Sequence, residues 1–237
     1  MSNTILPLRT ATWNLVTGCT QISAGCQNCC AATCHCPDNF SPTIHEEALY
    51  DPYRWWKNWR ISLPGMGDLF QEDIPFDFIH KIVDTITRCT RHTFMLQTRR
   101  ARRMYDYFSS YKAPDNLWLG VAVEDESTVW RIDYLRQLDA SVRFISCEPL
   151  LEAVFIPSLS NIDWLIVGGE TGSKGRKMEK SWVLDLQDQC DVANVPFFFK
   201  QWGTWGADGV KRSVKANGCL LDGKEYHAYP TPRTTKP

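Results

Sequence analysis

No run of about 18 apolar residues occurs in this chain, and no apolar segment follows basic residues near its start. A membrane-spanning helix and a cleavable leader are therefore not expected, and the reading is a soluble cytoplasmic protein with no membrane partner. Charge of one sign is not in excess either. Lys and Arg number 26 against 27 Asp and Glu, a net charge of -1, which gives no global pull toward nucleic acid or anionic lipid. Only a local basic patch is left open. Internal repeats and low-complexity tracts are missing too. What remains is ordinary for a globular protein, with 43% hydrophobic and 22% charged residues. A length of 237 residues suits one barrel and does not demand two domains.

Cysteine departs from this plainness. Ten are present, and six of them fall together: Cys19, Cys26, Cys29, Cys30, Cys34 and Cys36. A chain this long and core-rich needs no disulfide staples, so thiols crowded into one loop point first to metal. Cys89, Cys147, Cys190 and Cys219 are scattered, and Cys147, on an apolar run, reads as a small core residue.

Seven short apolar runs recur along the chain: Ala11 to Val16, Arg60 to Leu63, Thr93 to Leu96, Leu117 to Val123, Val142 to Ser146, Asp163 to Val167, and Pro196 to Phe199. Helical spacing of apolar residues appears between the later ones, over Phe76 to Thr90, Ser127 to Leu138 and Ser181 to Ala193. Continuous apolar strands alternating with amphipathic helices predict a parallel sheet covered by helices. Seven such units favour a (β/α) barrel, closed or partial, over an open doubly wound sheet. The expectation is an α/β fold in a single domain over 1–237, with a cysteine loop at about 17–36 and a C-terminal extension at about 204–237. The extension contains a short β-hairpin turning at Asp222-Gly223. Thr43 to Trp59 reads as a lid or a packed helix, with Trp55, Trp56 and Trp59 as packing residues.

Sites in parallel α/β folds form at the carboxyl ends of strands, and there the unusual residues fall. The cysteine loop follows the first run, and Asp68 the second. Arg99 and Arg100 follow the third, Glu124 the fourth and Glu148 the fifth. Gly168, Gly169 and Glu170 follow the sixth, and Lys200 and Gln201 the seventh. Cys19-x6-Cys26-x2-Cys29 offers three soft thiolates, with Gly18 and Gly25 allowing the backbone to bend. Three ligands leave one coordination position open for a substrate or cofactor. Spacing alone leaves three readings: an open iron–sulfur cluster, a zinc site (closed, if Cys30, Cys34, His35 or Cys36 joins), and unmetallated thiols. Glu124 and Glu148 suit a cofactor amine or hydroxyl, or else salt bridges to arginines such as Arg131 or Arg143. Gly168-Gly169-Glu170 suits close approach to a ligand, or an ordinary turn. Arg99, Arg100, Arg102 and Arg103 suit phosphate or carboxylate, though Arg102 and Arg103 read more simply as a solvated helix start.

The set of motifs resembles a known family. Thr12-Trp13-Asn14-Leu15-Val16-Thr17-Gly18-Cys19 and Gly25-Cys26-Gln27-Asn28-Cys29 carry the resemblance first. Met66-Gly67-Asp68-Leu69-Phe70, Arg143-Phe144-Ile145-Ser146-Cys147-Glu148-Pro149, Trp164-Leu165-Ile166-Val167-Gly168-Gly169-Glu170 and Phe199-Lys200-Gln201-Trp202-Gly203 extend it in order to about Gly223. These are similar to the motifs of a phage-associated three-cysteine-motif family of uncharacterised proteins, grouped with the radical S-adenosylmethionine (radical SAM) enzymes. Cys30 stands where that family has tyrosine, and Leu15 where it has proline. The resemblance implies a [4Fe–4S] cluster on Cys19, Cys26 and Cys29 that binds S-adenosylmethionine and cleaves it, with one electron from a donor, to a hydrogen-abstracting 5′-deoxyadenosyl radical. For that cofactor, strand order makes Asp68 the candidate for the amine, Glu124 for ribose hydroxyls or the amine, and Gly168 and Gly169 for close backbone approach, with Glu148 and Glu170 as further cofactor-binding candidates. The substrate would be a nucleotide, nucleic acid or other polar metabolite. The rival expectation is a non-catalytic binding or adaptor protein, stapled by zinc or a cluster and acting on a protein partner.

Overall fold

A computed structural model describes residues 9–29, 41–63 and 65–233. All seven apolar runs contribute strands to one parallel sheet. Its strands are β1 (Arg9–Thr12), β4 (Trp59–Leu63), β6 (Thr93–Thr98), β7 (Leu117–Ala122), β8 (Arg143–Cys147), β9 (Trp164–Gly168) and β10 (Phe197–Gln201), lying side by side in that order. The sheet curls into a half-barrel. β1 and β10 are its two ends and do not pair, so the barrel is partial among the described residues and not closed.

Alternation along each strand divides the core in two. Leu117, Leu119 and Val121 of β7 belong to the larger cluster, together with helix residues such as Ile82, Met104, Ile132 and Leu186. Their neighbour Trp118 points the other way, into a smaller cluster with Val142, Phe144, Trp164 and Ile166. Apolar residues on both faces explain why these strands read as continuous apolar runs rather than alternating ones.

The helices longer than one turn are α1 (Phe76–Arg88), α2 (Ala101–Phe108), α3 (Arg131–Leu135) and α4 (Lys180–Ala193). α1 and α4 match the expected spans closely. α3 is shorter than expected, because a 3-10 turn over Glu126–Thr128 takes up the start of the run. α2, of which the sequence reading named only a helix start at Arg102 and Arg103, buries Met104, Tyr107 and Phe108. Between β8 and β9 the chain crosses without a helix, and Leu150, Val154, Ile156, Leu159 and Ile162 of this connection are buried in the large cluster.

The first apolar run divides. After β1 the chain bends, and β2 (Val16–Gly18) joins a small second sheet between β3 (Thr43–Ile44) and β5 (Met66–Gly67). Burial drives the bend, since Trp13, Leu15 and Val16 are all inside and strict alternation would expose one of them. The segment from Thr43 to Trp59 is not one helix. It forms β3, a 3-10 turn over Glu46–Tyr50 and a helical turn over Asp51–Arg54. Trp55 and Trp59 pack against the core, whereas Trp56 is 76% exposed, contrary to its expected packing role.

The C-terminal turn forms at Asp222 and Gly223, both at positive φ, but it is closed by a single bridge between Leu221 and Lys224 and does not extend into a hairpin. The chain then runs antiparallel along β10, with Phe199 N–H donating to Tyr226 O at 2.7 Å and Ala228 N–H to Phe197 O at 3.2 Å. This strap covers the edge strand. Trp164 Nε1 donates to Ala228 O at 2.8 Å, and the Arg60 guanidinium lies 4.2 Å from the Tyr229 ring centre. No helix among the described residues is long and apolar enough to cross a membrane.

Candidate functional site

The carboxyl ends of the strands carry a cavity of ≈ 230 Å³. Cys19, Cys26 and Cys29 all line it, together with Asp68, Arg99 and Glu148. Leu63, Met95 and Phe144 supply apolar wall. Cys30, Cys34, His35 and Cys36 lie outside the described residues.

Three local devices shape the cysteine loop. Gly18 has φ of +83°, a conformation that a side chain disfavours, and this turns the chain out of β2 at Cys19. Gly25 sits on Glu124 so closely that a Cβ there would meet Glu124 Cγ at 2.5 Å. A 3-10 turn over Ala24–Cys26 then buries Cys26.

Buried arginine–carboxylate pairs hold this loop to the rim. Glu124 is fully buried and contacts Arg99 Nε, accepts from Arg131 Nη1 at 2.7 Å, and accepts from Ser23 Oγ at 2.9 Å. Burial pushes its carboxyl pKa up, but Arg99 and Arg131 outweigh that and hold it below the usual value. Arg100 donates to Asp68 Oδ2 at 3.2 Å, to Thr20 O at 3.2 Å and to Cys19 Sγ at 3.6 Å. Burial and the neighbouring Asp68 push the Cys19 thiol pKa up, with Arg100 opposing them. Asp68 also accepts from Phe70 N, Thr98 Oγ1 and Arg99 N, so its carboxylate ties together the ends of β5 and β6.

Glu170 anchors the far side of the loop. It accepts from the Arg176 backbone N–H at 2.7 Å, from Arg176 Nε at 2.8 Å and from Asn28 Nδ2 at 3.1 Å. Arg176 in turn donates to Ala24 O at 2.9 Å and to Gln27 Oε1 at 3.2 Å. Burial raises the Glu170 pKa, and the Arg176 and Asn28 hydrogen bonds pull it below the usual value.

The expected residues thus gather on one rim with different surroundings. Asp68, Glu124 and Glu170 are buried and engaged by the protein's own donors. Arg131 is indeed a partner of Glu124, whereas Arg143 pairs with Asp163. Glu148 is the more accessible carboxylate, bonded to Lys200 Nζ at 2.8 Å and Ser146 Oγ at 3.0 Å. Gly168 makes room for it, because a Cβ would lie 2.9 Å from Glu148 Oε1. Gly169 is needed for backbone packing, as its Cβ would lie 2.0 Å from Trp202 O. Among the arginines only Arg102 fits the solvated reading. Arg103 donates to the carbonyls of Gln71 and Ile74. Sequence reasoning missed Arg176 and Ser23. Arg176 lies 152 residues from its partner Ala24, and no local pattern signals such a contact.

Among the described residues, no three His, Cys, Asp or Glu side chains converge closely enough to hold one metal ion. Three thiolates around a single tetrahedral ion, at about 2.3 Å each, must stand about 3.8 Å apart.

The chain belongs to a family described as "Protein of unknown function (DUF5131)", whose model matches residues 3–230. No curated protein and no solved structure matches it.

Proposed function

We propose that this family member is a radical SAM-like iron–sulfur enzyme, with Cys19, Cys26 and Cys29 holding a [4Fe–4S] cluster in the rim cavity. The observation that supports this reading is the placement of three thiols on the wall of one cavity at the carboxyl rim of a half-barrel. The donor set fits: soft thiolates, a loop shaped by Gly18 and Gly25, and apolar wall at Leu63, Met95 and Phe144. When bound, the cluster and S-adenosylmethionine supply one-electron cleavage and hydrogen abstraction.

The chain's own residues position and shield. Glu124, through Ser23 and Gly25, fixes the first half of the loop, and the Glu170–Arg176 pair fixes the second half. Glu148 is the carboxylate best placed to accept from a cofactor amine or hydroxyl, because it lines the cavity and remains partly accessible. Asp68 lines the cavity too, with its carboxylate already serving four donors. An external electron donor and a polar substrate, of nucleotide, nucleic-acid or similar chemistry, complete the proposal. A phage-linked setting belongs to it as well and rests on the resemblance alone.

Anaerobic protein, reconstituted with iron and sulfide and given a strong reductant, is expected to cleave S-adenosylmethionine to methionine and 5′-deoxyadenosine. A formed cluster with no cleavage would count against the enzyme reading. Stoichiometric zinc with no affinity for S-adenosylmethionine would favour a metal-stapled adaptor.

A further inference from the structure

The thiol cavity has a second set of wall residues, which come from the strands rather than the loop. Ser62 of β4 and Met95 and Gln97 of β6 line it. Met95 packs on the smaller cluster, so this is the face of the sheet turned away from the helices. Ser62 stands beside Met95 in the register of the two strands, and Gln97 lies two residues further along β6. Side chains two residues apart on a strand share a face at about 7 Å, and neighbouring strands lie about 5 Å apart, so the three groups span one small ring. Gly120 of β7 stands beside Gln97, and a Cβ there would lie 2.3 Å from the Phe144 ring. Phe144 belongs both to the cavity wall and to the buried cluster with Trp164, and so marks the inner end of the cavity.

The charged groups of this wall are already matched. Asp68 pairs with Arg100, Arg99 with Glu124, and Glu148 with Lys200. Ser62 and Gln97 are not engaged. Neither side chain hydrogen-bonds to a described residue, and both keep surface open to the cavity. Gln21, exposed on the cysteine loop, is a third such group. The hydrogen-bonding capacity left in the wall is therefore neutral. A glutamine carboxamide offers a donor and an acceptor side by side, which pair with a planar edge carrying an acceptor and a donor. Met95 beside it supplies a thioether, which packs favourably against aromatic rings.

We propose that Ser62 and Gln97 hold an uncharged nucleobase of the substrate against Met95, its edge paired with the Gln97 carboxamide and the Ser62 hydroxyl. That the base belongs to the substrate rests on the radical SAM-like reading, whereas the binding of a base does not. A phosphate or carboxylate is disfavoured at this position, because it would find neutral partners there and no free counter-charge.

Calorimetric titration of reconstituted protein, saturated with S-adenosylmethionine, tests this with uridine, cytidine, adenosine and guanosine, and with ribose 5-phosphate as the base-free control. At least one nucleoside is expected to bind saturably, and ribose 5-phosphate is not. Gln97→Leu is expected to weaken that binding about tenfold and Ser62→Ala about threefold. Ser62 is exposed, so Ser62→Ala tests the site even if Gln97→Leu fails to fold. Saturation by no nucleoside at millimolar concentration, equal binding of ribose 5-phosphate, or equal binding by a folded variant of either residue would overturn the proposal. So would a nucleoside that binds only when S-adenosylmethionine is absent, because the pocket would then belong to the cofactor's own base. If the protein takes up no cluster, the radical SAM-like reading fails, and Gln97-dependent nucleoside binding by the cluster-free protein still sustains the base site. Cleavage of S-adenosylmethionine by protein that binds no nucleoside would do the reverse.

Discussion

Glu124→Ala is expected to destabilise the protein severely. The carboxylate is fully buried, and removing it strands Arg131, whose side chain is 3% exposed, with no counter-charge. Breaking a buried ion pair by deleting one partner costs about 3–5 kcal/mol. Arg99, at 22% exposed, recovers part of its hydration and adds less. Against a total stability of about 5–15 kcal/mol, this is a large fraction. For a chain of this size 1 kcal/mol shifts Tm by roughly 2–4 °C, so the expected loss is roughly 6–20 °C. Differential scanning calorimetry at neutral pH measures it. Glu124→Gln keeps the shape and the acceptor oxygen and is expected to lose less. The sign of the pH dependence follows from the lowered carboxyl pKa. The stabilisation is complete above the ordinary value of 4.5 and is lost as pH falls through the lower folded value. The gap between wild type and Glu124→Gln is therefore expected to narrow on acidification. A Glu124→Ala variant that melts within about 1 °C of wild type would refute the claim that this carboxylate anchors the rim.

Gly25→Ala is expected to cost about 1–3 kcal/mol in urea unfolding, because its methyl would press on Glu124; an unchanged midpoint would show that the loop does not rest there. Gly18→Ala is expected to cost about 1–2 kcal/mol for its left-handed backbone, and the same titration reads it. Arg176→Ala removes the contacts to Ala24 and Gln27 and leaves the buried Glu170 carboxylate with only the position-176 backbone N–H and Asn28, so the expected cost is about 1–3 kcal/mol. Peptide mapping after timed alkylation is then expected to show Cys26 labelled about fivefold faster than in wild type. An unaltered labelling rate would mean that the loop is held by something else.

The sheet was largely legible in the sequence. The central strands β7, β8 and β9 are buried on both faces, and such strands announce themselves as apolar runs: Trp164 to Gly168 is buried throughout. The site was legible to the extent that parallel strands share one direction, so polar residues after each run had to meet on one rim. The bend after Trp13 was not legible, because Ala11 to Val16 is apolar enough to pass as one strand, and only tertiary burial splits it. Nor was the barrel's closure, since strand count does not decide whether β1 reaches β10. The roles of Asp68 and Glu170 were hidden for a different reason. Their partners Arg100 and Arg176 are identified by geometry, and a carboxylate in a sequence looks the same whether it meets a ligand or an arginine. Of helix α2 only the start at Arg102 and Arg103 was read, although Met104, Tyr107 and Phe108 after them stand at helical spacing and are buried.

Iron and sulfide content of anaerobically reconstituted protein tests the central claim most directly, measured beside the Cys19→Ala, Cys26→Ala, Cys29→Ala triple variant. The account predicts about four iron and four sulfide per chain, lost in the variant. One zinc without sulfide, or iron retained by the variant, would contradict it.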